Sequence, residues 1–116
     1  MCAVDIDFFH KFKEVVEQIG KTGNEYATAK SNSWKSQELK GSVLASIIKS
    51  LGDIPVSKAE IQARTHEDYI KHLNETAEAI RKELQLKASY EMWKSSFEAL
   101  RSLSSLEKAT RNLTGE

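Results

Sequence analysis

Between Gly52 and Gly115 the chain contains no glycine, and beyond Pro55 it contains no proline, so residues 56–114 lack both strong helix breakers. The helix expected there runs from about Glu67 to Arg111, which is roughly 65 to 70 Å at a rise of about 1.5 Å per residue. That is about twice the diameter of a compact domain of this size. The remaining residues cannot sheath such a rod, so the reading is an all-α helical bundle with a long C-terminal helix that completes its core by packing on copies of itself or a partner.

The 116 residues amount to one domain with a modest core. Forty per cent hydrophobic and 29% charged residues fit a helix-rich globular chain and exclude a disordered tail. Seventeen basic and seventeen acidic residues cancel, leaving no global field to draw the protein onto nucleic acid or an anionic membrane, so any such binding needs a local patch. Cys2 is the single cysteine and cannot form an internal disulfide, which fits a reducing cytoplasm. No apolar run approaches the ~20 residues of a membrane span, and Met1 to Asp7 lacks the features of a signal peptide.

Along the chain, Phe8, Phe12, Val15, Val16 and Ile19 recur at helical steps, predicting an amphipathic helix from Ile6 to Ile19, capped by Asp5 or Asp7 and ended by Gly20. Residues 1–23 are thus a helix and a hinge at Lys21 to Gly23. A second helix over residues 24–52 carries Tyr26, Trp34, Leu44, Ile48 and Leu51 on one side and Ala29, Leu39, Val43 and Ile47 on an adjacent one, an arc wide enough to lie between two neighbours. Gly41 inside it marks a close approach or a kink. Ser57 with Glu60, and Thr65 with Asp68, read as capping boxes, the first opening a short helix over residues 57–65 and the second the long helix over residues 66–112.

That long helix carries two stripes: Tyr69, Leu73, Ala77, Ile80 and Leu84, then Leu86, Tyr90, Trp93, Phe97 and Leu100. At about 100° per residue their directions differ by more than a right angle. Either one continuous rod shows two faces, or the chain breaks near residues 85–89 and folds back. The second stripe is the expected oligomer interface.

No catalytic constellation emerges. His10, His66 and His72 have no metal-ligand spacing, no serine sits in a nucleophile elbow, and no glycine-rich loop precedes a helix to hold phosphate. No metal, cofactor or catalytic residue is assigned, and an enzyme is not expected. Charge is uneven, however. Residues 26–58 carry Lys30, Lys35, Lys40, Lys49 and Lys58 against Glu38 and Asp53, and residues 81–111 are also basic. These two segments hold Trp34, Tyr90 and Trp93, and cations beside flat rings suit single-stranded nucleic acid. The same rings sit on the stripes assigned to the core, and core aromatics beside ordinary surface lysines are the plainer reading.

From Asn24 to Arg111 the chain resembles the small all-helical recombination mediators of tailed phages, the UvsY-like type. The resemblance is carried by Glu25-Tyr26-Ala27-x-Ala29-Lys30, a lysine-rich middle, and Tyr90-Glu91-Met92-Trp93 followed by Phe97, Ala99, Leu100 and Arg101. It implies a non-enzymatic ring-like homo-oligomer that binds single-stranded DNA and helps load a recombinase onto strands covered by single-strand-binding protein. It further implies Lys30, Lys35 and Lys40 as phosphate contacts and the helix from Tyr90 to Leu106 as the assembly element. The neutral charge and the helix before Gly20 depart from that pattern.

Overall fold

The computed structural model describes residues 3–115 and is all-α, with no strand among them. Its helices are α1 (Ala3–Glu38), α2 (Lys40–Ser50), α3 (Val56–Arg64) and α4 (Glu67–Thr114). The chain forms two compact units, one of residues 1–26 with 86–116 and the other of residues 27–85. Cys2 lies outside the described residues.

In the first unit the expected hinge is absent, because α1 runs unbroken through Gly20, Lys21 and Gly23. Two isolated glycines cost a helix only about 1 kcal/mol each, which packing of the apolar face outweighs. The covered positions of α1 here are Phe8, Phe12, Val15, Ile19, Thr22 and Tyr26, at alternating steps of four and three. They meet α4 in antiparallel order. The Phe12 and Phe97 rings lie 5.1 Å apart and the Tyr26 and Tyr90 rings 6.1 Å apart. Gly23 is the point of close approach, since a Cβ there would stand 3.1 Å from Cε1 of Tyr90. At Gly20 the same atom would meet nothing within 4 Å. Gly20→Ala is therefore expected to raise the unfolding free energy by about 0.5 to 1 kcal/mol through backbone entropy alone, measurable by urea denaturation, whereas Gly23→Ala gains less because Tyr90 must shift.

In the second unit α1 ends at Glu38, and the interruption that Gly41 suggested falls at Leu39. His72 of α4 donates from Nε2 to the carbonyl of Ser36 at 2.9 Å, occupying an acceptor that an unbroken helix would offer to the N–H of Lys40. After α2, the N–H of Leu51 reaches back to the Ile47 carbonyl, and Gly52 takes φ +78°, a left-handed stop that favours glycine. Pro55, with φ −53° and ψ 140°, then opens α3.

Both expected capping boxes are corrected. Ser57 lies inside α3, whose N-cap is Pro55 without a side-chain bond. Thr65 turns its hydroxyl back to the carbonyls of Ile61 and Gln62, closing α3, while Nδ1 of His66 accepts the N–H of Asp68 at 3.1 Å and opens α4. The core here gathers Ile47, Ala63 and Tyr69, with Val43, Leu44, Ile48 and Leu51 packed around them.

Candidate binding surfaces

The long helix is continuous from Glu67 to Thr114, so the alternative of a fold-back near residues 85–89 is excluded. Its second stripe does not stand free as an oligomer interface. Tyr90 and Phe97 pack on α1 of the same chain, Leu100 is buried, and Leu86 and Trp93 are half-buried on the same face. The stripe forms an intramolecular seam because α1, one helix instead of two, offers a matching face of equal period.

Continuing the steps of three and four backward from Leu86 reaches Glu83, Ala79, Thr76, His72 and Tyr69, and these are covered or half-covered positions of α4 in the second unit. This corrects the expected first stripe. Only Tyr69 of it is buried, in the cluster with Ile47 and Ala63, while Leu73 is 37% exposed and Leu84 56% exposed. The seam of this unit is correspondingly polar. Ser33 is fully buried, its Oγ accepting a hydrogen bond from Nε2 of Gln37 at 3.0 Å. The hydroxyls of Ser36 and Thr76 lie 2.5 Å apart, with His72 beside them. Small and hydrogen-bonded side chains gain little from burial, about 0.5 to 1.5 kcal/mol per bond net, and act mainly to set register. His72 is directed to the carbonyl of Ser36.

The apolar residues that the seam does not use lie outside it. Ile70, Leu73, Ala77, Ile80 and Leu84 form a flank at steps of three and four, exposed or half-exposed along its length. Trp34 of α1 is 62% exposed and Leu39, at the break that follows it, is also exposed, so the second-helix region is not enclosed between two neighbours as its wide apolar arc suggested. Beside the α4 flank, Arg81 hydrogen-bonds the carboxylate of Glu78 through both Nε and Nη2, and that bond holds the Glu78 carboxyl below its ordinary pKa.

Lys30, Lys35 and Lys40 are all exposed, yet they do not converge. Five residues of helix separate the directions of Lys30 and Lys35 by about 140°, and Lys40 lies beyond the break at Leu39. Lys30 does share a side with Trp34, one turn later. Of Trp34, Tyr90 and Trp93, the last two belong to the seam and Trp34 is exposed. In the first unit Nζ of Lys94 sits 4.9 Å from the Tyr90 ring centre, a cation over an aromatic face at the rim of a groove floored by Val16, Ile19 and Phe97.

Among the described residues, no three metal-ligating side chains gather. Among the same residues no helix is long and apolar enough to cross a membrane. Comparison with models of protein families, with curated proteins and with solved structures found no match. The class that the fold defines is thus an all-α, helical-bundle-like protein.

Proposed function

We propose that this chain is a non-enzymatic, self-associating accessory protein that binds single-stranded DNA in phage or prophage recombination, assisting the loading of a recombinase onto strands held by single-strand-binding protein in the cytoplasm. The observation that carries the reading is Trp34, a large ring 62% exposed in the lysine-rich segment with Lys30 one turn before it. An exposed indole beside an ammonium group offers a base a stacking face and its phosphate a counter-charge. Lys35 and Lys40 reach phosphates on either side only if the strand wraps the helix, and several copies side by side multiply such modest contacts.

The test is fluorescence anisotropy of a labelled single strand, with a duplex of equal length alongside, at low and near-physiological salt. Strand-selective binding that weakens steeply with salt is expected. Trp34→Ala is expected to weaken it by about five- to twentyfold, the loss of one stacking platform, while leaving stability within about 0.5 kcal/mol because the ring is exposed. Equal affinity for duplex, or full affinity in Trp34→Ala, removes the assignment. The second reading is a protein-docking helical module without nucleic-acid binding, favoured by the exposed flank from Ile70 to Leu84. It predicts no anisotropy change at micromolar protein even at low salt.

A further inference from the structure

We infer that His66 is a pH-sensitive cap on α4, which in mild acid releases the N–H of Asp68 and turns to the Asp68 carboxylate. His66 is the residue before α4 and satisfies two of the N–H groups that a helix start leaves without partners. Its carbonyl accepts the N–H of Ile70 at 3.1 Å, and Nδ1 of its ring accepts the N–H of Asp68 at 3.1 Å. A backbone N–H only donates, so Nδ1 presents a lone pair there and the ring is the neutral form with its proton on Nε2. Serine or asparagine, the usual residues at this position, cap in the same way without titrating. Histidine ties the cap to a lone pair that a proton takes in mild acid.

The replacement partner is already in reach, since a carboxylate oxygen of Asp68 lies 3.8 Å from the same Nδ1. A proton on Nδ1 turns the acceptor into a donor, which the N–H of Asp68 and the positive end of the α4 dipole oppose and that oxygen attracts. The backbone bond is thereby exchanged for an exposed ion pair, while the bond from Ile70 stays. Among the described residues no other carboxylate stands as close to the ring. Glu67 beside it, Arg64 at the end of α3 and Lys49 in the last turn of α2 are the other charges at this corner of the chain. His72, inside α4, is bonded the opposite way: its Nε2 donates to the Ser36 carbonyl, so a further proton on Nδ1 leaves that bond in place. The exchange at His66 acts on the core, because Tyr69 follows Asp68 directly and packs with Ile47 and Ala63.

The test is amide–water exchange of the full chain, measured by NMR at about pH 7.5 and about pH 5.5, on either side of the range in which imidazoles titrate. Each rate is expressed as a protection factor, so that the pH dependence of exchange itself cancels. The Asp68 amide is expected to lose about three- to tenfold in protection in acid, the effect of losing one cap bond. At the higher pH the imidazole nitrogen shifts of His66 should show Nδ1 without a proton. His66→Asn supplies a cap that does not titrate, and in it the Asp68 amide should keep the same protection at both pH values. Unchanged protection of Asp68 in the wild type, a loss that persists in His66→Asn, or a neutral His66 ring with its proton on Nδ1 would each overturn the proposal.

Discussion

Tyr69→Ala is expected to lower the unfolding free energy by about 3 to 4 kcal/mol. Tyr69 is 6% exposed and joins Ile47 and Ala63 in the one buried cluster that ties α2, α3 and the start of α4 together. Around it the same unit has little else to draw on, because its seam between α1 and α4 is lined by Ala29, Ser33, Ser36, His72 and Thr76. A domain of ordinary stability has only about 5 to 15 kcal/mol in total. The loss should therefore be local and large. Hydrogen exchange is the measurement that resolves it: amides of residues 43–63 should lose protection in Tyr69→Ala far more than those of residues 8–26. Uniform loss along the chain, or a change below about 1 kcal/mol, would contradict the placement of Tyr69 at the centre of this core.

Phe97→Ala is expected to cost about 2 to 3 kcal/mol, less than a fully buried ring because Phe97 is half-covered. The informative feature is its dependence on protein concentration. Phe97 packs on Phe12 of its own chain at 5.1 Å between ring centres, so the denaturation midpoint of the variant should fall by the same amount at every concentration, while the oligomeric state is retained. In a double-mutant cycle with Phe12→Ala the two losses should fall short of additivity by about 0.5 to 1.5 kcal/mol, the part carried by the ring pair itself. A drop in oligomeric mass with unchanged monomer stability would instead return this stripe to the role of an interface between copies.

Much of the architecture was legible from local chemistry. The glycine- and proline-free run after Pro55 announced the long helix, but its continuity past residues 85–89 was left open by the sequence and came from the structure. Gly52 and Pro55 marked the single sharp stop, and the break at Thr65 and His66 was placed within a residue or two, although by a different cap from the one its sequence suggested. The helix before Gly20 was recognised by its period, but its end was misplaced. A glycine in an exposed helix is a small penalty, and nothing local reveals that Phe8, Phe12, Val15 and Ile19 continue in phase into Thr22, Tyr26, Ala29 and Ser33 on one face.

The candidate surfaces were less legible. Trp34 was read as a probe of two alternatives, core or platform, and only its exposure separates them. Lys30, Lys35 and Lys40 looked like a cluster in sequence, yet a helix turns about 100° per residue and spreads them. The flank from Ile70 to Leu84 was found as a stripe, but with Tyr69 attached to it and assigned to the chain's own packing.

What the sequence alone determined is therefore the helical state, the position of the main turn and the presence of two apolar stripes after Thr65, while their lying on one unbroken helix was decided by the structure. Those follow from propensity and period, which are local. Which stripe is covered was decided by the tertiary structure. A single helix can present two faces of equal apolar spacing, and nothing within it ranks them. The ranking comes from the partner face: α1 offers its own three- and four-residue period, and where the two helices meet, it draws in Leu86 to Leu100 in one unit and the polar run from His72 to Glu83 in the other. Within the second unit the more hydrophobic flank is left exposed, because Ser36 of α1 meets His72 and Thr76 on the other side of α4.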